Sequence, residues 1–227
     1  MSFPAGLAAV VFDLDGTLLD TAPEFVEVVK RLRAEHGQQP LPHQRVREVV
    51  SDGARAMVSL ALDLPLTHPD FEDKRQRFLA LYAEHLGLAT QPYPGIPALL
   101  QSLAAAGVSW GISTNKPSFL TLPLLQRIDL TPAPGSVVCP DHVDNPKPHP
   151  EPLLLNARQL GCTPGGCVYV GDHRRDILAG KAAGMVTIAA AYGYVHRDDD
   201  PHSWGADAVA ERAEDLPELL RAVTIPG

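Results

Sequence analysis

The chain is poor in cysteine, in aromatics and in uninterrupted apolar stretches. It holds three cysteines in 227 residues, Cys139, Cys162 and Cys167, an odd number without CxxC spacing. That excludes a disulfide framework and a paired-cysteine zinc site, and it reads as three small reduced residues in a cytoplasmic protein. No run of about 18 apolar residues occurs, so no membrane span is expected. The opening residues "MSFPAGLAAVVFD" lack a basic region, so no secretory leader is expected. Lysine and arginine number 19 against 27 aspartates and glutamates, a net charge of −8. This deficit of positive charge argues against nucleic acid or an anionic membrane as partner, though it allows a locally positive site for a small anion. There are no internal repeats, and the 22 prolines punctuate the chain rather than forming a biased tract.

What is present is a recurring short apolar run. "LAAVVF" at 7–12 is rich in valine and continuous, as in a strand covered on both faces. Similar runs follow at "VSWGIST" (108–114), "SVVC" (136–139), "CVYVG" (167–171) and "VTIAAA" (186–191). Between them lie helical patterns that end in glycine, such as "GIPALLQSLAAAG", with apolar Ile96, Leu99, Leu100 and Leu103 before Gly107. The alternation predicts a doubly wound α/β fold with a parallel sheet. Residues 20–91 break the alternation: they contain no convincing strand. "TAPE" at 21–24 reads as a capping box ahead of Phe25, Val28, Val29 and Leu32 at helical spacing. The expected organisation is an α/β core from 1–19 and 92–227, with a helical cap domain at 20–91 and a hinge near Pro92, Pro94 and Gly95.

In an open parallel sheet, ligands bind beyond the carboxyl ends of the strands. Four segments bring polar residues to that edge: Asp13 and Asp15 after the first run, Thr114, Asn115 and Lys116 after the second, Lys147 in "NPKPHP", and Asp172 and Asp176 in "GDHRRD". Gly16 permits a tight turn, and Thr17 either positions Asp15 or caps the next helix.

These segments, "DLDGT" (13–17), "STN" (113–115), "KPHP" (147–150) and "GDHRRD" (171–176), resemble the motifs of the haloacid dehalogenase superfamily, specifically its phosphatases with a helical cap. The resemblance spans nearly the whole chain. It implies that Asp13 is a nucleophile forming an aspartyl-phosphate and that Asp15 is the general acid and base. It also implies Mg²⁺ held by the carboxylates of Asp13 and Asp172 and the carbonyl of Asp15, with Asp176 acting indirectly by orienting ligands or through water. Thr114 would then bind a phosphoryl oxygen, and Lys147 would neutralise transition-state charge and hold Asp13. The second aspartate, Asp15, separates the chain from dehalogenases, which need no leaving-group proton. The "DKTGT" of ion-pumping ATPases is also absent.

"SDGARAM" (51–57) resembles phosphoglycolate phosphatases and their close relatives, and it places Gly53 at a turn and Arg55 as an anion clamp for a substrate carboxylate. Asn115 and Thr17 complete the expected substrate contacts. The tail "YGYVHRDDDPHSWGAD" (192–207) looks more like the branch that dephosphorylates N-acetylmuramic acid 6-phosphate. The expected function is therefore a Mg²⁺-dependent phosphomonoesterase, monomer or homodimer, acting on a small phosphorylated carboxylic acid. The alternatives are a phosphosugar mutase and a binding protein on the same fold, which would lack the nucleophile. His149 and His173 read as surroundings of the site, and Trp204 either packs on the core or touches the cap.

Overall fold

The structure, a computed structural model, describes residues 3–225. Six parallel strands form one sheet in the order β5-β4-β1-β6-β7-β8. They are β1 (Ala9–Phe12), β4 (Ser109–Ser113), β5 (Ser136–Val138), β6 (Cys167–Gly171), β7 (Val186–Ala190) and β8 (Ala208–Ala210). The first five match the apolar runs. β8 was not expected; only Ala210 of its three residues is fully buried, so it lacks the apolar run that marks a central strand.

Each strand of the sheet has a helix on one face or the other. Helices α7 (Glu151–Gln159) and α8 (Arg174–Ala182) lie against β1, β4, β5, β6 and β7, while α5 (Ile96–Ala105) packs on β4 and α9 (Leu216–Ala222) on β8; α6 (Ser118–Arg127) connects β4 to β5. The two-residue period of β1 divides its side chains between them. Ala9 and Val11 join Leu153, Ala157 and Ala179 on one face. Val10 and Phe12 join Ile96, Leu99 and Ile112 on the other. Burial on both faces is what gives this strand an unbroken apolar run.

Helices α1 (Ala22–Glu35), α2 (His43–Arg47), α3 (Gly53–Leu62) and α4 (Phe71–His85) form a separate bundle between β1 and α5. Both chain crossings to the sheet pair as a short antiparallel ribbon, β2 (Leu19–Asp20) with β3 (Gln91–Pro92). A strand pair at this boundary was missing from the sequence reading, because two residues carry no periodicity. The capping box is also corrected. Thr21 makes no side-chain bond to the helix; its hydroxyl donates to Asp15 Oδ1 at 2.6 Å. Glu24 turns inward, and its Oε1 accepts from Ala89 N, Thr90 N and Thr90 Oγ1 at 3.1, 2.9 and 2.7 Å. The two residues that looked like a local cap thus tie the outgoing crossing to Asp15 and to the returning crossing. Among the described residues no helix is long and apolar enough to cross a membrane.

Candidate active site

The strand order changes direction at β1, which has β4 on one side and β6 on the other. The register pairs Phe12 with Ile112 and with Val170, so Asp13, Ser113 and Gly171 lie at one level of the sheet edge. Asp13 N donates to Val170 O at 2.9 Å, and Thr114 N to Val138 O at 3.0 Å. Parallel pairing therefore aligns the four predicted segments.

After Asp13 the chain makes one helical turn, with Leu18 N and Leu19 N both donating to Leu14 O. Gly16 has φ +85°, and a Cβ there would collide with the Asp172 carboxylate. Glycine is required both by the turn and by that approach. Thr17 caps no helix; its hydroxyl points to Asp172 Oδ1 at 3.5 Å, at the limit of a hydrogen bond.

Asp13, Asp172 and Asp176 bring carboxylate oxygens within 4.8 Å of one another. Lys147 is 3 % exposed, and its ammonium lies 3.0 Å from Asp13 Oδ1 and 2.7 Å from Asp176 Oδ1, with Ser113 O at 2.8 Å and Tyr169 OH at 2.7 Å. Asp176 is fully committed: Oδ1 to Lys147 and Tyr169 OH, Oδ2 to His173 N. Asp172 Oδ2 accepts from Tyr194 N and from Ser51 Oγ, leaving Oδ1 with only the distant Thr17 hydroxyl.

The cluster thus holds three carboxylates and one ammonium, which pairs with Asp13 and Asp176. Burial, then the charges of Asp13 and Asp176, push Asp172 from its ordinary 3.8 up to about 8. Burial also raises Asp13, to about 6, with Lys147 pulling it back and Asp176 pushing it up. For Lys147, burial works against the ammonium, but Asp13 and Asp176 outweigh it and raise its pKa. Asp13 Oδ1 is buried, with the shared Lys147 ammonium as its partner. A deficit of positive charge and an all-oxygen donor set of three converging carboxylates fit a hard divalent cation.

The Asp15 carboxylate lies outside this triad. It accepts from Lys116 Nζ at 3.0 and 3.2 Å and from Thr21 Oγ1. Its inclusion among cation ligands therefore cannot be through the side chain. The expectation had concerned its main-chain carbonyl.

Asp13, Asp15, Thr114, Asn115 and Lys147 line a cavity of about 380 Å³ between the sheet edge and the helical bundle. Thr114 Oγ1 accepts from Lys116 N at 3.0 Å, a local turn rather than a helix cap. Asn115 Nδ2 donates to Lys147 O at 3.0 Å, and its Oδ1 is buried and unpaired. From the bundle side come Gly53, with φ +82° at the start of α3, and Arg55. Apolar walls are supplied by Phe25, Phe78, Leu79 and Phe119.

The cavity's other cations are engaged: Lys147 as above, Lys116 with Asp15, Arg75 with Glu72, and Arg175 with Ser51 O. Among the described residues Arg55 has no ion pair or hydrogen bond, only the Phe71 ring at 5.5 Å.

His149 is exposed and lies outside the cavity, and His173 caps α8 by accepting from Arg175 N. Trp204 packs against Ile177 and Ala189, which resolves its role in favour of the core. Sequence reasoning missed Ser51, Thr21, Tyr169 and Tyr194 as partners of the acidic groups. It named Lys116 without a role, although its place directly after "STN" is a signal.

Comparison with known proteins agrees with this geometry. The profile of the haloacid dehalogenase-like hydrolases matches residues 10–190. An N-acetylmuramic acid 6-phosphate phosphatase of Pseudomonas aeruginosa is 48% identical over 214 residues, 94% of this chain and 95% of that protein. A phosphoglycolate phosphatase of Xanthomonas campestris is 41% identical, with 95% and 96% covered. Among solved structures, a predicted phosphoglycolate phosphatase from Haemophilus somnus superposes with a TM-score of 0.84 at 23% identity, covering 95% of this chain and 98% of its own.

The chain belongs to the haloacid dehalogenase-like hydrolase family. Within that family it is a phosphoric monoester hydrolase.

Proposed function

We propose that the protein is a magnesium-dependent phosphatase of a small phosphorylated carboxylic acid, working through an aspartyl-phosphate on Asp13, with N-acetylmuramic acid 6-phosphate as the favoured substrate. The observation that carries the reading is the convergence of Asp13, Asp172, Asp176 and Lys147 at the strand ends, with Asp15 two residues from the nucleophile.

Asp13 attacks phosphorus, an Asp13–phosphorus bond forms, and the ester bond to the leaving oxygen breaks. Asp15 delivers its proton to that oxygen. Asp15 then takes a proton from water, whose oxygen attacks the aspartyl-phosphate and returns Asp13 as carboxylate. Thr114 and the main-chain N–H groups beyond β4 hold the phosphoryl oxygens, while Lys147 offsets charge on Asp13 and the transferring group. When bound, the cation relieves repulsion between the Asp13 carboxylate and the phosphate dianion. Asp13 and Asp172 would hold it, with the Asp15 carbonyl, and Asp176 orients the set through Lys147.

The helical segment 20–91 acts as a cap that selects substrate and excludes water. The ribbon β2–β3 is its hinge. Cavity size supports the larger of the two phospho-acids: a volume of about 380 Å³ lies in the range of pockets for ligands of sugar-acid size and above, well beyond the needs of a two-carbon acid. Apolar walls suit the methyl groups of a lactyl or acetamido substituent, and Arg55, otherwise unpaired, suits the carboxylate. The relative at 48% identity carries that substrate in its name. Phosphate release from N-acetylmuramic acid 6-phosphate and from 2-phosphoglycolate, each with magnesium, tests this. The reading expects the first to have the higher kcat/KM by about tenfold or more, roughly one contact's worth of binding energy. Equal values, or a preference for phosphoglycolate, would overturn the substrate assignment.

A further inference from the structure

Lys116 is 7 % exposed, and each proton of its ammonium faces an acceptor. Two are the Asp15 oxygens at 3.0 and 3.2 Å, and the third is the Tyr82 hydroxyl at 2.5 Å. An ammonium has three donors, so none remains for a phosphoryl oxygen. The group also sits 4.5 Å from the centre of the Tyr82 ring and 5.3 Å from that of Phe25. Those two rings stack at 4.3 Å, bringing α1 and α4 together over the lysine. Among the described residues Asp15 is otherwise held only by Thr21, so its carboxylate is fixed from one side by the start of the helical segment and from the other by Lys116.

We infer that Lys116, itself braced by Tyr82 of α4, is a positioning residue for the acid–base carboxylate Asp15. The inference rests on the proposed phosphatase reading. In the first step Asp15 loses its proton to the leaving oxygen, so the carboxylate left behind gains the lysine as counter-ion. Low exposure and two aromatic faces keep water from competing for that ion pair. Tyr82 belongs to the helical segment and Lys116 to the sheet side, so the brace exists only while α4 lies over the strand ends. The assembly of the acid–base group is therefore tied to the seating of the helices.

The test uses the dependence on leaving group. Expulsion of p-nitrophenolate needs no proton, whereas expulsion of an alkoxide does. The parameter kcat/KM covers only the steps up to leaving-group release, so it isolates proton donation from the later use of Asp15 as a base.

For Lys116→Met, kcat/KM on an alkyl phosphate is expected to fall by about 100-fold, within the range of general-acid effects, while on p-nitrophenyl phosphate it falls less than about threefold. Tyr82→Phe keeps the stacked ring and removes one hydrogen bond; the same selectivity is expected at about three- to tenfold. Equal losses on both esters would overturn the inference and make Lys116 a phosphate-binding or purely structural residue. Wild-type selectivity in Tyr82→Phe would overturn the brace. If Lys116→Met does not fold, Tyr82→Phe decides by the same criterion. Asp15→Asn is run alongside: if it shows no leaving-group selectivity, it is the role of Asp15 in the proposed function that fails, an outcome distinct from failure at Lys116.

Discussion

Metal removal should make the protein's stability depend on pH in an unusual direction. Buried carboxylates paired with cations normally add stability as pH rises. Here Asp172 and Asp13 are raised from 3.8, to about 8 and about 6. A carboxyl group whose folded pKa is raised keeps its proton in the folded state after the unfolded chain has lost it. Its contribution is fully present below 3.8 and is lost as pH climbs through the folded value. Between pH 5 and pH 8 the loss comes to about 4 kcal/mol for Asp172 and about 1 kcal/mol for Asp13, at roughly 1.4 kcal/mol for each pH step of mismatch. The two interact and titrate together, so the combined effect is about 4 kcal/mol.

Two charged groups beside the site keep their charge through this window. Asp52 is lowered, by His173 first, so it is ionised on both sides before pH 5. The pKa of Lys147 is raised, so its charge is constant here. A cation held by the triad displaces those protons and removes the slope. The assay is urea unfolding at pH 5 and pH 8, in chelator and in excess magnesium. The expected result is a fall of about 4 kcal/mol in chelator, shrinking below about 1 kcal/mol with magnesium. A flat profile in chelator, or the same slope with and without magnesium, would refute the reasoning.

Other expectations follow from single contacts. Glu24→Ala leaves Ala89 N, Thr90 N and Thr90 Oγ1 without their acceptor in a buried site; unfolding free energy should drop by about 3 kcal/mol or more, against about 1 kcal/mol for Glu24→Gln, which keeps an acceptor. Arg55→Ala should raise KM for a carboxylate-bearing phosphate ester by about tenfold while leaving p-nitrophenyl phosphate within about twofold; equal effects would mean that Arg55 does not meet the carboxylate. With a hexose monophosphate and its bisphosphate, product analysis should find inorganic phosphate and free sugar; migration of phosphate between sugar positions without release would favour the mutase alternative.

The parallel core was legible because each central strand is buried on both faces and so appears as a continuous run, as with Ala9–Phe12 and Cys167–Gly171. The edge strand Ala208–Ala210 is half exposed and left no such trace. The acidic and basic residues at the strand ends were legible because parallel register aligns whatever follows each strand. Their partners were not. Tyr194 lies 22 residues from Asp172, and Ser51 lies 121 away, so their contacts depend on tertiary packing alone. "TAPE" misled for the opposite reason. Its spacing is that of a local cap, but the second oxygen contact of Asp15 and the main-chain N–H groups at 89–90, which need an acceptor as the chain returns from the bundle, make better use of the same two side chains.

The covalent step is the centre of the account. Labelled phosphate ester, mixed with enzyme and magnesium and quenched in acid within the first turnover, should leave the label on the peptide containing Asp13, and Asp13→Asn should leave none. Label on any other residue, or full turnover with no trapped phosphoenzyme and unchanged activity in Asp13→Asn, would contradict it.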